Sequence, residues 1–292
     1  MVIPTFERLP MLLEALESVH AQSFDGSAEI LVVNDSPREK LASQILREFP
    51  RVNVVAEGTR AGATGARNRA LSVARGNSIA FLDDDDLWEP DYLKIQMAAL
   101  KGRDRAFAVS GLVICNVKDG TRKLATQRPN LKRYRSVAHH LIVTNFIRCP
   151  STVVVPRQVI EEAGLFHEER PYGEDYDFYL RCLIAGFDPV FTKAPAVIRR
   201  QHGNQMTNPS NLEKRNAARM DRVRRYYAPI RERFEIAPQQ EVSAEVHAKF
   251  AARYFRHKRY WQSAVSFLVS LAHLKPTYTF RRFSQSWKEE TA

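Results

Sequence analysis

Ile79-Ala80-Phe81-Leu82-Asp83-Asp84-Asp85-Asp86-Leu87-Trp88 is the stretch on which the reading of this chain turns. Residues 79–82 form a short apolar run of the kind that makes a buried strand. Four carboxylates then follow with no spacer. As packing this is unfavourable, because like charges repel and each carboxylate near a core loses hydration. A divalent cation removes both objections, and carboxylates at the C-terminal end of a strand are well placed to hold Mg²⁺ or Mn²⁺ beside ligand phosphates. The alternative is a solvated acidic loop.

Working outward, apolar runs and helical periods alternate. Residues 2–4 read as the end of a strand, which predicts that a longer first strand begins upstream. Leu12, Leu13, Leu16 and Val19 set a helical period over residues 9–22. Strands are expected at 28–34, 52–56 and 78–82, with helices at 38–49 and 66–75 and a glycine-rich loop at 58–65. Such alternation implies a parallel sheet with right-handed crossovers, whose ligands lie beyond the carboxyl ends of the strands. Thr5, Phe6, Asp35 and the aspartate tract all fall at such ends. Further on, 106–118 reads as a strand, 123–135 as a basic loop, and 149–156 as containing a strand. Helices follow at 157–163 and 175–185, strand pieces at 189–192 and 196–199, and basic helices from about 211 with a break near Pro238.

Composition bounds the rest. The chain has 292 residues and 44% hydrophobic content, enough for a large α/β core with an appendage. No run approaches the ~20 apolar residues that span a bilayer, and the first residues do not read as a signal peptide. Cys115, Cys149 and Cys182 are scattered, with neither a metal-ligand pattern nor a disulfide framework, which fits a reducing compartment. The net charge of +11 is unevenly placed: residues 214–292 hold seventeen Lys and Arg against seven Asp and Glu, leaving the remainder nearly neutral. A basic tail on a neutral body points to an anionic partner.

Five segments in order carry a resemblance: V-I-P-T-F-E-R at the start, I-L-V-V-N-D-S at 30–36, G-A-R-N-R-A-L at 65–71, F-L-D-D-D-D-L-W-E-P at 81–90, and G-E-D-Y-D-F-Y-L-R at 173–181 with R-R-Q-H at 199–202 extending it. Together they resemble family 2 glycosyltransferases, inverting enzymes of the GT-A fold, over roughly residues 1–205. The resemblance implies an α/β architecture with a mostly parallel central sheet flanked by helices, to which the basic helical pattern from about residue 211 adds a C-terminal appendage. It places a catalytic domain at 1–210, with a nucleotide-binding half at 1–100 and an acceptor-binding half at 101–210, followed by the helical region 211–292.

The same resemblance assigns residues. Asp83-Asp84-Asp85 corresponds to the D-x-D motif, with Asp83 and Asp84 on the nucleotide-sugar and Asp85 on the metal. A metal ion there stabilises the charge that grows on a diphosphate leaving group. Asp86 is read as the cap of a helix beginning near Glu89 and Pro90, or else a second ligand. Asp35 corresponds to the acid that reads the base, although this chain has Asn34-Asp35 where two acids are common; an Asx turn before Pro37 is the plain alternative. Pro4, Thr5, Phe6 and Arg8 line the same pocket, with Phe6 stacking on the base, and Arg67 approaches the base or diphosphate. Asp175 corresponds to the general base that deprotonates the acceptor hydroxyl, with Asp177 as competitor. His202 is the third metal ligand; His139 and His140 read as loop or helix surface. Residues 145–152 are expected to face the acceptor, and Trp88 to wall the sugar site or pack in the core.

The expected activity is metal-dependent transfer, with Mn²⁺ or Mg²⁺, of a sugar from a nucleotide-diphospho-sugar, UDP-linked, to a glycan or lipid-linked acceptor in glycoconjugate or surface polysaccharide synthesis. Its rivals are a catalytically silent nucleotide-sugar or polyanion-binding protein and a metal-dependent phosphoryl-transfer enzyme. A cytoplasmic location, peripheral on the inner face of the cell membrane, follows from the basic tail. In residues 242–274 a helical period places Val246, Phe250, Tyr254, Trp261, Val265 and Leu268 near one stripe, so oligomers through these helices are a second expectation. No recognition fold for nucleic acid is visible.

Overall fold

Three short apolar strands open the chain and pair in parallel: β1 (Val2–Thr5), β2 (Ile30–Asn34) and β3 (Val52–Glu57), in the order β1-β2-β3. Val2 lies opposite Leu31, and Ile30 opposite Val52. Every residue of β1 and β2 is buried, which is why they read as unbroken apolar runs rather than alternating ones. The crossovers are helices α1 (Leu9–His20), α2 (Ala42–Glu48) and α3 (Gly62–Val73). Helix α1 buries Leu12, Ala15, Leu16 and Val19, the face its period predicts. Strand β4 (Ser78–Ala80) follows. Phe81 bridges Val2 in parallel, and the Leu82 N–H donates to Val2 O at 3.0 Å. The chain therefore runs alongside β1 just before it enters the aspartate tract. The structure is a computed structural model and describes residues 1–38, 40–125, 127–169, 172–202, 211–273 and 284.

A second sheet has the order β4-β8-β6-β9-β5, with β7 on the flank of β6. Its members are β5 (Asp86–Trp88), β6 (Ala106–Asn116), β7 (Arg122–Ala125), β8 (Val153–Pro156) and β9 (Asp188–Gln201). Helices α4 (Tyr92–Leu100), α6 (Arg157–Ala163) and α7 (Glu174–Ile184) belong with it, along with the 3-10 turn Pro150–Thr152. Here β6 and β9 are parallel and the other pairs antiparallel. Parallel pairing thus dominates the first half, and the second sheet is mixed.

Three local expectations change. The basic loop at 123–135 begins as β7, because Ala125 and Leu124 face Leu112 and Val113 across a hairpin. The two strand pieces at 189–199 are one strand, β9; Pro195 lies opposite Gly111 where the register shifts, the place where a residue lacking an N–H fits a ladder. Asp86 caps no helix: it starts β5, and the residue preceding α4 is Asp91.

These elements form one compact unit, Met1–Arg128 with Ile147–Gln205; the other is Pro129–Phe146 with Met206–Ala292. The second holds α5 (Val137–Val143), α8 (Leu212–Arg233), α9 (Gln239–Arg256) and α10 (Tyr260–His273). Residues 129–146 thus group with the C-terminal helices. His139 and His140 are buried on α5, not on its surface. The His140 ring stacks between Tyr134 and Phe146, with centroids 4.2 and 4.4 Å away, and its Nδ1 accepts the Asn130 N–H at 3.1 Å. Burial, then the nearby cations Lys249 and Arg133, push its pKa down to about 3, so the ring is neutral. The expected apolar stripe is split: Val246, Phe250 and Tyr254 are buried on α9, whereas Trp261, Val265 and Leu268 on α10 are exposed.

Candidate active site

The aspartate tract is threaded with protein cations. Arg8 donates through Nη1 to Asp84 at 2.9 Å and to Asp85 at 2.7 Å. Arg67, on α3 and almost fully buried, reaches Asp83 at 2.6 Å and Glu174, the first residue of α7, at 3.3 Å. Burial alone would lower the Arg67 pKa, but Asp83 and Glu174 outweigh it and raise it, so the guanidinium is fixed as a cation. His202 places Nε2 3.0 Å from Asp85 Oδ2. The structure therefore brings Arg8, Arg67, Asp83, Asp84, Asp85 and His202 together.

Each aspartate has a different neighbourhood. Asp84 is buried and accepts from Thr5 Oγ1 at 2.7 Å and the Phe6 N–H at 3.3 Å as well as from Arg8. It holds the loop after β1 in place. Burial pushes its pKa up to about 6 against the pull of Arg8 and Thr5. Asp86 is fully buried and accepts from Ser151 Oγ at 2.6 Å, while its other oxygen, Oδ1, has no hydrogen-bond partner. Burial, then Asp83 and Asp85, push Asp86 up to about 8. Carboxylate oxygens of Asp83, Asp85 and Asp86 all lie within 4.8 Å of one another.

That cluster passes the chemical test for a hard divalent cation. Its donors are oxygens, with an imidazole beside them, and an orphaned buried oxygen faces a charge deficit that Mg²⁺ or Mn²⁺ would fill. The cluster adds Asp83 and Asp86 to Asp85 and His202 as groups able to hold the ion.

Two residues that the sequence did not single out position this tract. Ser151 donates to Asp86, accepts the Asp83 N–H at 3.1 Å, and receives Trp88 Nε1 on its carbonyl at 2.8 Å. Residue 151 thus serves the aspartates, although the stretch 145–152 was expected to face an acceptor. Trp88 is core, stacked on Tyr92 at 4.3 Å. Arg200 donates to the carbonyls of Asp85 (2.6 Å), Asp84 (3.2 Å) and Met11 (3.1 Å) and to the Glu14 carboxylate. It ties the tract to α1. Only its place beside Arg199 in R-R-Q-H hinted at a role.

Pro4 is buried in β1 opposite Val33, and Phe6 is 46% exposed at the strand's end, free to offer a ring face. The Asp35 carboxylate is occupied by the loop ahead of α3: it accepts from Thr59 Oγ1, the Ala61 N–H (2.6 Å) and the Gly62 N–H (2.9 Å). The Asx turn at this strand end is made instead by Asn34, whose side chain accepts the Ser36 N–H at 3.0 Å. Asp175 lies in the first turn of α7, next to Glu174, and its charge is felt by Arg67. Asp177 is fully buried, with Arg181 Nε at 3.0 Å and His167 Nδ1 at 3.1 Å. Its carboxylate carries that pair.

The glycosyl transferase family 2 model matches residues 1–164. The amylovoran biosynthesis glycosyltransferase AmsB of Erwinia amylovora is 28% identical over 203 residues, 66% of each chain. The chain spans from 20% to 66% of the length of the first curated relatives it matches. S. aureus TarS 1–349, solved with UDP-GlcNAc, superposes with a TM-score of 0.65 at 16% identity, covering 98% of this chain and 88% of TarS. The mannosyltransferase PcManGT of Pyrobaculum calidifontis, solved with GDP-Man and Mn²⁺, gives 0.60 at 16% identity, covering 98% and 83%. These likenesses show the GT-A fold, and with more than half its length matched, this chain belongs to glycosyl transferase family 2.

Proposed function

We propose that this protein transfers a sugar from a nucleotide-diphospho-sugar, UDP-linked, to an acceptor hydroxyl with inversion at the anomeric carbon. One observation carries the reading. The ends of β1 and β4, the start of α7 and the end of β9 converge on three carboxylates within 4.8 Å of one another, flanked by Arg8, Arg67 and His202. Asp85, with Asp83, Asp86 and His202, would hold Mn²⁺ or Mg²⁺, which as a Lewis acid stabilises a diphosphate leaving group. Arg67 and Arg8 supply fixed positive charge to the same phosphates. Pro4, Thr5 and Phe6 form the wall against the base, and Asp84 keeps that wall in place. Asp35 acts on the base side by setting the loop 59–62.

Asp175 is the general base of this proposal. It sits at a helix N-terminus, where a carboxylate is favoured, beside the Arg67–Glu174 pair, while its competitor Asp177 is tied to Arg181. The acceptor is proposed to be a glycan or lipid-linked glycan of surface polysaccharide synthesis; the relative AmsB is named for amylovoran biosynthesis. A cytoplasmic enzyme peripheral to the inner membrane face is consistent with the basic residues from 214 onward, and no helix among the described residues is long and apolar enough to cross a membrane.

The test is release of nucleoside diphosphate from a panel of nucleotide-sugars, with Mn²⁺, with Mg²⁺ and with EDTA. Metal-dependent turnover of a UDP-sugar, with anomeric inversion in the product, is expected. Tight binding without turnover on any acceptor would leave a silent nucleotide-sugar-binding protein. Release of sugar phosphate rather than nucleoside diphosphate would mean phosphoryl transfer.

A further inference from the structure

Helix α10 is packed inside out. Its buried residues include Ser263, Ser266 and Ser270, and its exposed ones include Trp261 (77%), Val265 (42%) and Leu268 (63%). The serines are spaced three and four residues apart, so they share one face. That face lies on α9: Ser263 Oγ donates to Ala251 O at 2.8 Å and Ser270 Oγ to Ala244 O at 2.9 Å. Ala244, Ala248, Ala251 and Ala252 of α9 are buried. Small residues on both sides let the two backbones approach closely, with the hydroxyls satisfied by carbonyls. Trp261, Val265 and Leu268 are spaced four and three apart on the opposite side. A water-facing helix normally has the reverse polarity.

We propose that the outward face of α10 is an interfacial anchor that seats in the headgroup and acyl boundary of an anionic lipid surface. The chemistry of the flanks selects this occupant. Helix α10 contains no Asp, Glu, Lys or Arg, so nothing charged resists its entry into an apolar layer. Arg256 at the end of α9 and Lys258 in the turn leading into α10 are exposed, where they can meet lipid phosphates; Arg259, next to them, pairs with Glu213 at 3.2 Å. Tyr260 and Phe255 are exposed beside the turn and pack edge to face, with centroids 5.3 Å apart; with Trp261 they form the aromatic rim found at membrane–water boundaries. A second copy of the chain is the poorer fit, because it would bring two strongly basic regions together. Among the described residues α10 runs 14 residues, fewer than the ~20 that span a bilayer.

The proposal is independent of the transfer reaction and is tested on the full chain by co-sedimentation with vesicles. At low salt the protein should bind phosphatidylcholine vesicles containing about a quarter phosphatidylglycerol at least about tenfold better than phosphatidylcholine alone, and lose binding as salt rises. The Trp261→Ser/Leu268→Ser variant should lose at least about tenfold in binding to the anionic vesicles with an unchanged melting temperature. The Arg256→Glu/Lys258→Glu variant should lose the preference for anionic lipid. Brominated acyl chains should quench fluorescence in the wild type that is absent from Trp261→Phe. Failure to bind anionic vesicles at low salt overturns the proposal, as does binding that the serine variant leaves intact. It is equally overturned if that variant dissolves an oligomer while lipid binding is unaffected, which would make the face a contact between copies.

Discussion

Replacing Arg200 by Met tests whether the aspartate tract is held from behind. The substitution keeps most of the side-chain volume and removes the guanidinium. Lost with it are donors to the carbonyls of Asp85, Asp84 and Met11 at 2.6, 3.2 and 3.1 Å. A hydrogen bond from a charged group contributes about 1.5 kcal/mol or more, and a carbonyl left buried without a donor costs about 1–3 kcal/mol. The Glu14 partner adds little, because its side chain is 58% exposed and the pair is screened. The Asp85 and Asp84 carbonyls together give an expected loss of about 2–5 kcal/mol, since the Met11 carbonyl lies within α1 and keeps its helical donor. Urea denaturation of Arg200→Met against Glu14→Gln measures it, with the second variant losing under about 1 kcal/mol. Mn²⁺ affinity should fall in Arg200→Met as well, since the backbone that aims Asp85 is released. A loss below about 1 kcal/mol in Arg200→Met, or an equal loss in Glu14→Gln, would refute the reasoning.

Further outcomes are expected. Asp175→Asn should lower the transfer rate by about a hundredfold or more while donor affinity, measured by calorimetry, stays within about twofold; retained transfer would take the base role away from Asp175. His202→Ala should raise the Mn²⁺ concentration needed for nucleotide binding with little change in urea stability, whereas an unfolded variant with unaltered metal dependence would make His202 structural. Because the folded-state pKa of His140 is lowered to about 3 from 6.5, protonation favours the unfolded chain. Its stabilisation is complete above pH 6.5 and is lost as pH falls toward 3, at up to about 1.4 kcal/mol per unit. A His140→Phe variant should therefore have a flatter stability profile between pH 6.5 and 5, and an identical slope would contradict this.

The sequence disclosed what depends on local order and not what depends on partners. The strand ends carrying Thr5, Asp35 and Asp83 were readable, because apolar runs and helical periods alternate so regularly that only a parallel, crossover-connected sheet accommodates them. What each carboxylate does was not readable. Asp35 and Asp86 look alike beside their strands, yet one closes the loop at 59–62 and the other is sealed against Ser151, which lies 65 residues away in sequence. Periodicity likewise could not separate α9 from α10. The stripe from Val246 to Leu268 runs at one helical spacing, and the turn at 257–259 rotates its second half out to solvent. Burial of His139 and His140 is of the same kind: α5 is apolar enough to be covered, but its covering helices are about 100 residues downstream.

The repulsion among Asp83–Asp86, which from sequence alone called for a metal, has a second answer in the fold, and this yields the last prediction. Asp83 has Arg67 at 2.6 Å, Asp84 and Asp85 share Arg8, and Asp85 also has His202 at 3.0 Å. Burial, then Asp83 and Asp85, raise the pKa of Asp86 and so favour its protonated form when no ion is bound. Two fixed cations, Arg8 and Arg67, thus offset part of the tract's negative charge. The fold's own need of the ion is thereby reduced, whereas a bound diphosphate would add negative charge that Arg8 and Arg67, which already face carboxylates, do not offset by themselves. Adding EDTA to the protein alone should move the melting temperature by no more than about 2 °C, under about 1 kcal/mol for a domain of this size. Adding UDP with Mn²⁺ should raise it through selective binding to the native state, and UDP with EDTA should not. A fall of about 10 °C on chelation alone would show that the metal is structural and that the protein's own cations do not suffice.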